Sequence, residues 1–187
     1  LRLEPVTWAA AALLATAVSA FGLTTLRLQA KRKRRILDTT FWSWRVGMAC
    51  LLLAVPVGLT CLAPFAEPLR PRLEFLLGVL LLAGAFPALI GGMLYKIVPF
   101  LCWLHLQRVM RSPPHMHQVL PEKWAQWQLR LFLVALGCLC LGALWPPLIR
   151  VGGALFAASC LALELNLLAA IRVYRRTRAA VGPQRPR

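Results

Sequence analysis

Gly91-Gly92-Met93-Leu94-Tyr95-Lys96-Ile97-Val98-Pro99-Phe100-Leu101-Cys102-Trp103-Leu104-His105-Leu106-Gln107 closes an apolar run that begins near Leu73. A helix needs about 20 mostly apolar residues to cross about 30 Å of hydrocarbon. The run from Leu73 reaches that length by Tyr95 and Lys96, and its apolar pattern continues through Pro99 to Gln107. It therefore reads as a membrane span. The excess, residues 97–107, is expected to be a protruding or kinked helical end, or a segment lying at the interface.

Four further stretches meet the same length criterion: about Val6 to Leu28, Phe41 to Leu62, Trp124 to Trp145 and Leu148 to Val173. The chain has 187 residues, of which 59% are hydrophobic, so most of it belongs in lipid and there is one membrane domain, residues 1–178. Residues 179–187 read as a basic, disordered tail. Trp8, Trp42, Trp44, Trp124, Trp127 and Trp145 fall near span ends, where an aromatic belt sits. Asp38-Thr39-Thr40 offers capping side chains to the second span, and Pro56 lies inside it, where it should kink the helix. Gly84, Ala88 and Gly92 form a small-residue ridge on the third span that lets another helix approach closely, and the first span carries many alanines to the same effect. The connection Pro64–Arg72 reads as a proline-rich loop.

A net charge of +16 would suggest nucleic acid in a soluble protein, but the basic residues cluster between apolar spans. That is a topology signal and leaves no role for nucleic acid. Eighteen of the 22 Lys and Arg fall on one side: Arg27 to Arg45, Lys96 to Arg130, and Arg172 to Arg187. Only Arg2, Arg70, Arg72 and Arg150 fall on the other. The positive-inside rule then puts the N-terminus out and the C-terminus in. The densest cluster, Lys31-Arg32-Lys33-Arg34-Arg35, is also suited to anionic lipid headgroups. Leu1 leads directly into a helix with no initiator methionine or signal peptide, which is expected of the later part of a longer chain.

The six cysteines lie in or against apolar spans and read as small packing residues rather than a disulfide framework. Cys102 and His105, three residues apart, share a helix face, and with His115 and His117 they make a candidate metal-ligand set. His105 alone is a candidate haem b ligand, without the Cys-x-x-Cys-His motif of covalent haem attachment. Lys96, Arg130, Glu164 and Asn166 are polar groups within apolar spans. Such residues pair, or line a path for ions or protons. At 1.5 Å per residue Arg130 and Glu164 lie at similar depth on consecutive antiparallel spans, so an ion pair between them is expected, with Gln126 and Gln128 nearby. No Ser-His-Asp, phosphate-loop or paired-carboxylate pattern is present.

The run Gly92 to Leu101 with Trp103 and His105, then Pro114, Met116 and Val119 to Pro121, resembles a stretch of uncharacterised bacterial membrane proteins that are similar to subunit I of haem-copper oxidases. The resemblance covers residues 92–121 only. It implies a helical bundle of the bacterial inner membrane with a link to respiratory or nitrogen-oxide metabolism. A haem-copper centre needs several inward-facing histidines on different spans, and this chain has three histidines in all, none at mid-depth. The resemblance thus implies no oxidase activity for this chain alone.

The expected fold is an all-α integral membrane bundle of about five transmembrane helices. The first functional expectation is a non-catalytic helical membrane domain, oxidase-like or of an uncharacterised family, that packs against other membrane helices. The alternatives are a redox protein holding haem b through His105, and a small transporter or channel subunit using Lys96, Arg130 and Glu164.

Overall fold

The computed structural model describes residues 4–31, 38–107, 110 and 120–180. Among these residues the structure is all-helical, without strands, and five helices are long and apolar enough to cross a membrane. They are α1 (Glu4–Ala30), α2 (Thr39–Cys61), α3 (Pro64–Gln107), α4 (Glu122–Gly142) and α5 (Pro147–Ala180). The protein is an integral membrane helical bundle. The basic tail and most of the loop between α3 and α4 lie outside the described residues.

α1, α3 and α5 extend past the spans expected from hydropathy, α3 most of all, while α4 stops at Gly142, short of Trp145. Its 44 residues open with a 3₁₀ segment, Pro64–Leu69, in the stretch that reads as a loop. Pro64 and Pro71 each occupy one of the first two positions of a helical segment, where a missing N–H costs nothing and φ is already set for a helix. The far end stays α-helical through Pro99 to Gln107, so the excess residues 97–107 are a helical extension. Between Val79 and Ala85 the helix widens into π geometry, and the Phe86 N–H reaches Leu81 O five residues back. Pro87 accounts for this: it has no N–H, and its ring crowds the carbonyl four residues before it, so the preceding turn loosens.

Packing follows the buried stripes. On α4 the buried positions Ala125, Leu129, Phe132, Leu136 and Leu139 recur at spacings of four and three, one face of a helix. That face meets Cys50 and Ala54 of α2 and Val79, Leu80, Ala85 and Ala88 of α3 in the main core. A second cluster near the other end of the layer joins Tyr95, Cys102, Leu120, Ala125 and Ala170. The ridge Gly84, Ala88, Gly92 faces α2. A Cβ at Gly84 would stand 2.8 Å from Cys50 Sγ, and one at Gly92 would stand 2.9 Å from Ser43 Cβ. Three of the cysteines, Cys50, Cys61 and Cys102, are buried packing residues, and all six are free thiols.

The edges of the bundle are α1 and α5. Only 6% of the most apolar window of α1 is buried, and 11% of that of α5, against 39% for α4. α1 leans on α2 through Gly22, whose missing side chain accommodates Leu52. The outward surface of α1 is apolar, with Leu13 and Leu14 among its most exposed side chains, as a lipid-facing surface requires.

Candidate functional site

Polar side chains collect at the end of the layer marked by Lys31, Lys96, Lys123 and Arg172, here the basic end; the turns at Pro64–Leu69 and Pro146-Pro147 mark the proline end. α2 begins at the basic end with four N–H groups that have no partner within the helix. Asp38 caps them as its sequence position predicts: its backbone is extended and its Oδ1 accepts from the Phe41 N–H at 2.9 Å. A second carboxylate arrives from another helix. Glu122, in the first turn of α4, accepts from the Thr39 N–H at 2.6 Å and from the Thr39 hydroxyl through the same oxygen. Thr39 is 3% exposed, so these donors are withdrawn from water and Glu122 satisfies both. Both acids also sit at the positive end of the α2 dipole.

Two further ties cross between helices. The Asn166 side-chain amide of α5 donates to Tyr95 Oη of α3 at 2.9 Å and to the Trp124 carbonyl of α4 at 3.3 Å. Gln128 of α4 donates to Ser159 Oγ of α5 at 3.0 Å, and Ser159 is 1% exposed. Small cavities flank the start of α2. One, of about 90 Å³, lies among Asp38, Thr39, Tyr95, Lys96, Pro99 and Glu122. The other, of about 360 Å³, lies between α1 and α2 beside Gln29, Trp44 and Lys96. Lys96 lines both and is exposed, in line with a stem that carries its ammonium to the headgroup level.

The residues singled out from the sequence separate into three groups. Asn166 and Gln128 hold helices together, though through Tyr95 and Ser159 rather than through Arg130 and Glu164. Arg130 and Glu164 are both exposed, and the expected ion pair between them does not form. The Arg130 guanidinium lies over the Trp127 ring, 5.3 Å from its centroid, while Glu164 has no ion-pair or hydrogen-bond partner among the described residues. The physical reason is azimuth. Arg130 lines a groove with Ala162, Leu165 and Asn166 of α5, and Glu164 stands about 100° or more around that helix from each of them.

Cys102 and His105 are three residues apart but differ in setting. Cys102 is buried in the second core cluster, and His105 is exposed, edge-on to Tyr174 at 6.3 Å between ring centroids. The His105 Nδ1–H donates to the Leu101 carbonyl at 2.8 Å, which leaves Nε2 free. His115 and His117 lie outside the described residues, as do Arg32 to Arg35 of the basic cluster. Among the described residues no three His, Cys, Asp or Glu side chains converge as metal ligands.

Sequence reasoning missed Glu122, Thr39 and Tyr95 as tie residues. One signal was available: Glu122 and Asp38 are acids at the start of α4 and α2, at the same end of the layer and amid lysines and arginines. No family model, curated protein or solved structure matches the chain.

Proposed function

We propose that this chain is a non-catalytic helical domain of a bacterial inner-membrane protein, oriented N-terminus out and C-terminus in, whose work is to pack against other membrane helices. One observation carries the reading: three polar side chains inside the helical layer tie its own helices together. Glu122 joins α4 to α2, Asn166 joins α5 to α3, and Gln128 joins α4 to α5. Such contacts act as glue where no hydrophobic effect separates helices from lipid. The orientation rests on the excess of Lys and Arg at the basic end. Green fluorescent protein fused after Arg187 is expected to fluoresce, while alkaline phosphatase at the same place is expected to be inactive. The reverse pattern overturns the orientation.

A second reading, a haem b protein, has one specific support. With its Nδ1–H held by the Leu101 carbonyl, His105 has the pattern of a ligating imidazole: an orienting bond on one ring nitrogen and a free lone pair on the other. An absorption spectrum separates the two readings. Protein purified from haem-replete cells is expected to be colourless. A Soret band that disappears in His105→Ala would replace the packing-domain reading with the redox one.

A further inference from the structure

Among the described residues neither Glu164 nor Arg130 has an ion-pair partner, and Arg130 only stacks on the Trp127 ring. Glu164 lies on the outward face of α5 among Gly153, Ala157, Cys160 and Leu168, all exposed. The residues from Leu165 to Ile171, which separate it from Arg172, contain no charge and span about 10 Å of helix. With Arg172 at the headgroups, the carboxylate lies inside the span, near the level of Trp127. Ionisable groups there face protein or a water-filled cavity, because lipid offers them no partner.

Arg130 lies beside a groove of about 520 Å³ on the other flank of α5, whose walls include Trp124, Trp127, Leu131, Val134 and Leu165 and no carboxylate. The two charges are nevertheless level. In the α4–α5 pair Gly142 meets Ile149, Gly152 meets Leu139, and Asn166 reaches the Trp124 carbonyl. That register sets Trp127 across from Glu164, and the Arg130 guanidinium lies over the Trp127 ring. One flank of each molecule thus carries an unpaired cation in an apolar groove. A different face, about 100° or more around α5, carries an unpaired anion near the same level, on a surface that includes small residues.

We propose that copies of this chain associate side by side in the membrane, with Glu164 of one copy entering the groove of the next and pairing with its Arg130. The inference rests on the reading of the chain as a packing domain and names its partner. Gly153 and Ala157 let the second copy's helix come close, and the planar guanidinium suits a carboxylate bidentately. The contact is head-to-tail, so it closes into a ring or continues as a row.

The test is energy transfer between full-length copies carrying donor or acceptor fluorescent proteins after Arg187, reconstituted at low density in phosphatidylcholine vesicles. Wild type is expected to transfer. Arg130→Glu alone and Glu164→Arg alone place like charges in the contact, and each should weaken association about 100-fold or more. Mixing donor-labelled Arg130→Glu with acceptor-labelled Glu164→Arg should restore transfer, because the charges are complementary again. That recovery also shows that both variants fold. Transfer that is absent in wild type, unchanged in either single variant, or not restored by mixing overturns the proposal. Absent transfer together with phosphatidylglycerol retained through purification by wild type but not by Arg130→Gln would assign Arg130 to a lipid headgroup instead. A Soret band would be the failure of the packing-domain reading itself, and it is read on the same samples before labelling.

Discussion

The two ends of the bundle are held by different means. At the basic end the ties are side-chain hydrogen bonds between residues 83 positions apart, Thr39 and Glu122, and 71 apart, Tyr95 and Asn166. At the proline end consecutive helices meet through local structure. The Trp145 N–H closes on the Leu141 carbonyl, a Cβ at Gly142 would lie 2.6 Å from Ile149, and Arg70 pairs with Glu67 and Glu74 of its own helix. A short turn only reverses the chain, whereas a long-range bond selects which helices become neighbours. The lateral arrangement is therefore specified at the basic end and in the apolar layer between the ends.

Substitutions rank this difference, each measured as the change in unfolding free energy in detergent. Gly84→Leu should cost most, about 3 kcal/mol, because the added side chain meets Cys50 and Leu136 and the helices must separate. Glu122→Ala should cost about 2 kcal/mol, since it leaves the buried Thr39 N–H and hydroxyl without a partner. Asn166→Leu should cost about 1 kcal/mol, the usual size of a polar contact between membrane helices. Arg70→Ala at the proline end should cost least, about 0.5 kcal/mol or below, because its ion pairs are largely exposed. A larger loss from Arg70→Ala than from Glu122→Ala would reverse the account of the two ends.

How much of this was legible depends on the range of the interaction. The spans follow from hydropathy, and the Asp38 cap follows from three adjacent residues. The ridge Gly84, Ala88, Gly92 is legible as a surface, though not as a surface for α2 in particular. Helix ends were less legible, because α3 continues beyond the hydrocarbon length at Gln107 and begins at prolines that resemble a loop. The tie from Glu122 to Thr39 was legible only as an acid at the start of α4 on the same side as Asp38, since no local pattern names a partner so far along the chain. For Arg130 and Glu164, depth is readable from residue count but facing is not read from depth. Arg130 adjoins Leu129 of the buried stripe but projects about 100° away from it, which a helical wheel of α4 alone would have shown.

The claim that the basic end sets helix neighbours is tested most directly by a double-mutant cycle on Thr39→Val and Glu122→Ala. Unfolding free energies are measured for the wild type, both single variants and the double variant. If the side chains bond across α2 and α4, the double variant should lose less than the two singles together, by about 1 kcal/mol. Losses that add to within about 0.3 kcal/mol would contradict the account, because residues without a shared contact behave independently.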